Sequence, residues 1–275
     1  MALSGITVSV GYDDLLAITL PQNLDLFDQL IVVTSETDKR TQQLVTDLSR
    51  RNTGLDLLVT DLFYRDGAIF NKFRAVEAAT QRIDPARWCL ILDADIFLPA
   101  TTRERLAAGG LCQLNPDCLY GARRWLILRK AQLQVISQGA ADVAETSLIH
   151  ERYFECYQDS EIAGYFQLFH PASRFLMQRP WYGIDWRHAG GGDSDFMLKF
   201  PAVNRCWLPD CEVYHLGQPG ENWFGRTDAR WDELSEAAVT PAEQLTPAAA
   251  RHEMTAMRRA RGQNKGVDRF KGEKL

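Results

Sequence analysis

Residues 1–100 alternate short apolar runs with longer amphipathic stretches, a pattern few architectures accommodate. The runs ITVSVGY (residues 6–12), QLIVVTS (29–35), LDLLVTDLF (55–63) and WCLILDAD (88–95) have the apolar density of buried strands. Helical signals fill the intervals. Asp13 and Asp14 can cap a helix that begins near Leu15, and Leu44, Val45 and Leu48 give helical spacing over 38–51. A third helix fits 70–82 and stops before Asp84-Pro85, because proline disfavours continuation. Strands alternating with helices in this way read as β-α-β units, hence an α/β fold whose mostly parallel sheet is covered on both faces.

After Pro99 the pattern changes. LYGARRWLILR and AGYFQLFHP read as longer, partly antiparallel strands separated by a polar segment, 134–145, so the sheet is mixed. A helix is expected over 241–261, followed by a basic tail.

At 45% hydrophobic and 24% charged, a chain of 275 residues can bury a sizeable core. No apolar run approaches the roughly 20 residues of a spanning helix, and MALSGITVSV lacks the basic region and cleavage pattern of a secretory signal. A cytoplasmic location is therefore expected. The six cysteines form no C-x-x-C pair, which favours reduced thiols over a disulfide scaffold or a zinc site. A net charge of -5 argues against nucleic-acid binding by the whole surface while leaving room for a local basic patch.

In open α/β sheets ligands gather at the carboxyl ends of the strands, where Asp93 and Asp95 follow the apolar run CLIL. Like charges so close raise each other's pKa or require a cation, and oxygen ligands suit Mg2+ or Mn2+. Taken alone, the triplet reads equally as solvated carboxylates at a strand end. A second D-x-D lies in GGGDSDF, where Asp193 or Asp195 could instead simply cap a helix, and its glycines allow close approach of a ligand to the backbone. In VYHLG, His215 is either a nitrogen ligand to the same cation or a structural histidine.

The ordered set ITVSVGY, FNK, LILDADIFLP, GGGDSDF and VYHLG resembles the GT-A glycosyltransferases of the family-two and galactosyltransferase-like groups, over residues 5–217. The resemblance implies one GT-A domain, Rossmann-like, over 1–239. Residues 1–100 would be its nucleotide-binding half, 101–239 its acceptor and catalytic half, and 240–275 a helical, basic extension. It implies an enzyme that moves a sugar from a nucleotide-sugar donor, expected to be a UDP-sugar, to an acceptor hydroxyl with the help of Mn2+ or Mg2+.

In that family the D-x-D carboxylates hold the metal that bridges the donor diphosphate. The role falls on Asp95, with Asp93 sharing the ion or facing the ribose, and His215 matches the family's late histidine ligand. Asn71 and Lys72 match an Asn-Lys pair near the nucleotide and phosphates. Gly11, Tyr12 and Asp13, with Thr34 and Asp61, would border the nucleobase. The catalytic base falls on Asp193 or Asp195; this chain has Asp-Ser-Asp where many relatives have Glu-Asp, which leaves the choice open. Single displacement by such a base inverts the anomeric centre.

Trp181, Tyr182 and Trp186, just before the second D-x-D, could stack on an acceptor or pack in the core. Arg123, Arg124 and Trp125 sit at a strand start, where they either belong to the acceptor side or form a solvated edge. Arg258, Arg259, Arg261, Lys265, Arg269, Lys271 and Lys274 make a basic tail on an acidic chain. The acceptor is accordingly a glycan or another hydroxyl compound, with hydroxymethylated DNA as the alternative. A non-catalytic nucleotide-sugar binding module is the alternative of another class.

Overall fold

The structure is a computed structural model and describes residues 3–107, 110–127, 161–217, 222–226 and 230–231. Its strands are β1 (Leu3–Val8), β2 (Gln29–Ser35), β3 (Leu55–Thr60), β4 (Trp88–Asp93), β5 (Ile96–Phe97), β6 (Leu119–Ile127), β7 (Phe166–Phe169) and β8 (Arg205–Leu216). The helices are α1 (Asp13–Asn23), α2 (Lys39–Ser49), α3 (Lys72–Thr80), α4 (Ala100–Ala107) and α5 (Gly192–Leu198). All eight strands join one sheet in the order β3-β2-β1-β4-β7-β6-β8-β5. β3, β2, β1 and β4 are parallel, β7 runs against β4 and β6, β8 runs with β6, and β5 runs against β8. The mixed, mostly parallel sheet expected from the sequence is present.

The central strands are buried along nearly their whole length and mostly apolar because both faces are covered, with Ser4, Thr7 and Gln167 as buried polar exceptions. Leu90 and Leu92 pack on one side with Leu16 and Leu20 of α1 and Val45 of α2. Cys89 and Ile91 pack on the other with Phe73 and Val76 of α3 and Phe196 of α5. Truncating a leucine of this interior, such as Leu90→Ala, costs about 2–5 kcal/mol.

Several boundaries differ from expectation, each for a local reason. β1 stops at Val8, because the chain turns through Gly11 at φ 72°, a left-handed conformation that favours glycine. α1 starts at Asp13, so Asp13 and Asp14 lie in its first turn instead of capping it. β3 ends at Thr60, short of the expected residue 63. α3 starts at Lys72 because the Asn71 side chain caps it, accepting from the amides of Phe73 and Arg74. The polar segment 134–145, the helix expected over 241–261 and the basic tail lie outside the described residues.

What positions the first D-x-D is a change of course after β4. The chain leaves the parallel strands at Ala94 and joins β8 as β5, aligning Ile96 with His215. Buried polar side chains of α1 fix this corner: Thr19 Oγ1 donates to the Ala94 carbonyl at 2.6 Å and Asn23 Nδ2 to the Ile96 carbonyl at 2.8 Å. Asn23 Oδ1 accepts from the Leu98 amide at 3.0 Å. Thr19 and Asn23 are four apart and share one helix face.

Candidate functional site

The register of β5 on β8 sets the centre of the site. His215 Nε2 lies 3.1 Å from Asp95 Oδ2, and the Leu216 amide donates to the Asp95 carbonyl at 2.8 Å. Asp95 Oδ1 and His215 Nδ1 are buried and have no hydrogen-bond partner among the described residues. Buried polar atoms are nearly always paired, so two orphans on adjoining side chains are where an additional ligand belongs.

Asp93 points to a different partner, accepting from Lys72 Nζ at 2.7 Å. Lys72 is the first residue of α3, where a positive charge opposes the helix dipole and needs an outside carboxylate to hold it. Burial works against the Lys72 charge, but Asp93, Asp193 and Asp95 together outweigh it and raise its pKa, so the ammonium stays charged. Asp95 is held below the usual carboxylate range: burial opposes its charge, and the neighbouring imidazole of His215 more than offsets that. Asp93 is pushed upward by burial and by the Asp95 charge, against the pull of Lys72.

Asp93, Asp95 and Asp193 around one ammonium leave an excess of negative charge, which a divalent cation would neutralise. Among the described residues no group of three or more His, Cys, Asp or Glu side chains is gathered to hold a metal ion by itself. Asp95 and His215 nevertheless fit one, because such ions commonly take one or two protein ligands and complete their shell with phosphate oxygens and water.

The second D-x-D faces this centre from α5. Asp193 and Asp195 sit in the first turn of that helix, where carboxylates are favoured. Asp193 Oδ2 accepts from the Gly164 amide at 3.0 Å and Oδ1 from the Ser194 amide at 2.9 Å. Asp195 is more exposed, and its Oδ2 accepts from Trp186 Nε1 at 2.7 Å. Asp193 is thus the carboxylate within electrostatic reach of Lys72, and Asp195 is the one tethered to the aromatic loop. The glycines before them admit aromatic rings instead of a ligand. A Cβ on Gly190 would stand 2.6 Å from Trp223 and one on Gly191 2.9 Å from Trp186, while Gly192 lies against Phe73.

The other residues singled out in the sequence divide. Asn71 is fully buried with all its capacity used: besides capping α3, its Nδ2 donates to the carbonyls of Ile184 at 3.0 Å and Trp186 at 2.5 Å. It ties α3 to the aromatic loop and has nothing left for a nucleotide. Trp181 and Tyr182 are 5% and 1% exposed and belong to the core, where Tyr182 stacks between Phe73 and Phe196. They do not form an acceptor surface; of the three expected aromatics, only Trp186 lies at the site.

Thr34 is buried with its hydroxyl on Asp38 Oδ2 at 3.3 Å, and Asp61 is exposed in a pair with Arg65 at 2.8 Å. Arg123, Arg124 and Trp125 lie within β6, where Trp125 Nε1 donates to Glu212. Gly11, Tyr12 and Asp13 form the β1–α1 turn, and each is engaged by the chain beyond His215. Arg226 donates to the Gly11 carbonyl at 2.8 Å, Asn222 donates to the Tyr12 hydroxyl at 2.6 Å, and Arg230 makes paired contacts to Asp13 at 2.8 and 2.9 Å. Arg226 also forms an ion pair with the buried Asp14, and the Trp231 amide donates to the same carboxylate.

This strap, residues 222–226 and 230–231, together with Gly164 and the Asp38–Gly11 contact, was not singled out from the sequence. Asp38 caps α2, its side chain accepting from the Thr41 amide, and its second task, accepting from the Gly11 amide at 2.7 Å, depends on tertiary contact. In the sequence the strap corresponds to the pattern D-D in α1 and R-x-x-x-R after His215.

No family model matches the chain, and no curated protein does. Solved structures do resemble it. A mannosyltransferase, PcManGT from Pyrobaculum calidifontis, solved in complex with GDP-Man and Mn2+, matches with a TM-score of 0.51 and 17% identity over 80% of this chain and 58% of that one. GalNAc-T7, solved with UDP, GalNAc and Mn2+, matches with a TM-score of 0.53 and 11% identity over 79% of this chain and 44% of that one. The chain therefore spans less than two thirds of the length of either. At these identities the likeness is one of fold: the chain has the GT-A fold.

Proposed function

We propose, on the premise of that fold, that the chain is a metal-dependent glycosyltransferase that moves a sugar from a nucleotide-sugar donor to an acceptor hydroxyl. The observation that carries this reading is the pairing of Asp95 with His215, each with one orphaned buried atom, beside Lys72 and opposite Asp193. Asp95 and His215 would hold the cation. A carboxylate with an imidazole suits Mn2+ better than Mg2+. When bound, the cation neutralises charge on the departing diphosphate.

The chain's own groups supply the rest. Lys72 presents a permanent positive charge to phosphate oxygens, fixed by Asp93. Asp193 is the base: held by the Gly164 amide, it takes the proton of the acceptor hydroxyl as that oxygen bonds to the anomeric carbon and the bond to the diphosphate breaks. Attack opposite the leaving group inverts the anomeric centre. Asp195, oriented by Trp186, is placed to accept from another acceptor hydroxyl. On the nucleobase side we keep Gly11 and Tyr12, whose turn follows the carboxyl end of β1 beside the end of β4. Nothing among the described residues favours a hydroxymethylated DNA acceptor, since the basic tail lies outside them. No described helix is long and apolar enough to cross a membrane.

Titration calorimetry with UDP and GDP tests the donor half. Binding is expected to require Mn2+, to vanish with EDTA, to weaken at least about tenfold in Asp95→Ala, and to survive in Asp193→Asn. Binding that ignores Mn2+, or an Asp95→Ala variant that binds as wild type, contradicts the reading.

A further inference from the structure

Four aromatic rings run outward from the second D-x-D. Trp186 holds Asp195 through its indole N–H at 2.7 Å, and its ring centre lies 5.7 Å from that of His188. His188 stacks on Trp223 at 5.9 Å and 16°, and meets Phe224 at 5.3 Å. Trp186 and His188 come from the loop before α5, and Trp223 and Phe224 from the strap. The Ala189 amide donates to the Trp223 carbonyl at 2.8 Å, and Gly190 and Gly191 give the two indoles room. The strap is fixed at its far end by Arg226 and Arg230 on Asp14 and Asp13.

The outermost ring, Phe224, is 57% exposed, and ring contacts connect it through His188 to Trp186, so the row reaches solvent as joined aromatic side chains instead of one scattered ring. The polar groups beside the row are the partners a polyhydroxylated ring needs. Asp195 offers a carboxylate whose Oδ1 has no partner among the described residues, and the exposed Asp185 and Arg187 alternate with Trp186 and His188 along the loop. The Asp195 carboxylate, held against Trp186, can accept from a hydroxyl of such a ring. A pyranose has both features such a surface reads, an apolar C–H face for the rings and a belt of hydroxyls for the carboxylates.

We infer that Trp186, His188, Trp223 and Phe224 form the acceptor ledge and that the acceptor is a pyranoside whose apolar face stacks on it. The inference deepens the glycosyltransferase reading and rests on it, placing the acceptor hydroxyl between the ledge and Asp193.

Saturation-transfer NMR on the full chain, without donor or metal, tests the ledge apart from the reaction. The probes are methyl β-D-glucopyranoside, methyl β-D-galactopyranoside and methyl α-D-mannopyranoside, with sorbitol as the acyclic control and a short single-stranded DNA oligonucleotide as the competing class. Saturation of the protein's aromatic protons is expected to reach the ring C–H protons of at least one glycoside and not sorbitol. Phe224→Ala and Phe224→Leu are expected to weaken that glycoside's binding about tenfold, and Phe224→Tyr to restore it. Because Phe224 is exposed, all three variants should melt within about 2 °C of wild type.

No saturation of any glycoside, an unchanged signal in both Phe224→Ala and Phe224→Leu, or transfer to the oligonucleotide instead overturns the ledge. Donor turnover is read separately. A wild type that binds glycosides through Phe224 but turns over no donor refutes the glycosyltransferase reading and leaves the ledge standing. Turnover without glycoside binding does the reverse.

Discussion

Asp193 and Asp195 stand two apart on one helix turn, yet their partners separate their tasks. Asp193 shares the field of Lys72 and accepts from the Gly164 amide, whereas Asp195 is bound to Trp186. Asp193→Asn should therefore lower acceptor-dependent turnover by about 10^2- to 10^4-fold, the usual worth of a positioned base. Asp195→Asn should act mainly on the acceptor KM. Equal losses in kcat for the two variants would contradict the division. Gly164 gives an independent test, because a Cβ there would meet the Asp193 Cβ and Oδ2 at 2.7 Å and force the carboxylate to move. Gly164→Ala should cut kcat at least about tenfold while a thermal melt shows the fold retained.

At this scale the sequence was informative where chemistry alone selects the residue. The second carboxylate after the run CLIL, Asp95, and a histidine after a β-rich stretch, His215, do come together at 3.1 Å, while the first, Asp93, turns to Lys72. It was uninformative where direction decides. Asn71 and Tyr182 carry suitable groups, but one caps a helix and the other faces the core, and the irregular stretch around Tyr182 has no periodicity from which a facing could be read.

Among the elements, the strap is the one whose stability depends most on charge. The Asp14 side chain is fully buried against Arg226, with the Trp231 amide on the same carboxylate. Burial pushes the Asp14 pKa up, but Arg226 and that amide outweigh it and hold it below the ordinary value of 3.8. A carboxyl depressed in the folded state contributes stability that is complete above its unfolded pKa and is lost as the pH falls through the lower, folded one. Asp14→Asn should therefore cost about 3–5 kcal/mol at pH 7, because it strands a buried guanidinium. The gap between variant and wild type in urea melts should narrow below about pH 4. A gap that stays constant down to pH 2 would show that the ion pair contributes nothing.

The elements were legible from sequence in proportion to how sharply their ends are marked. β2 occupies Gln29–Ser35 as expected, and the side chain of Asp38 starts α2. The end of β1 was misplaced because Val10 prolongs the apolar run past Val8, where the strand ends ahead of the turn at Gly11. The strap was hard to read from sequence, since its main contacts join residues 210 to 217 apart.

At the scale of the molecule, the sheet explains why these residues meet. The parallel set β3-β2-β1-β4 brings the turn of Gly11, the end of β4 and the start of α3 to one edge. The crossing of β5 onto β8 then brings His215 to Asp95. Strand alternation in residues 1–100 made the first half of this arrangement legible. The second half was not, because a strand of two residues, Ile96–Phe97, carries no periodicity, and its partner lies more than a hundred residues onward.

The proposed transfer of sugar from a nucleotide donor, with a bound cation, takes place at this edge. The most direct measurement is release of nucleoside diphosphate from a panel of nucleotide sugars, with Mn2+ or EDTA, by wild type, Asp95→Ala and Asp193→Asn. At least one donor should be turned over with Mn2+. That turnover should stop with EDTA and in Asp95→Ala, and its acceptor-stimulated part should stop in Asp193→Asn. Release from no donor in the presence of Mn2+, or equal release by Asp95→Ala and wild type, would contradict the claim.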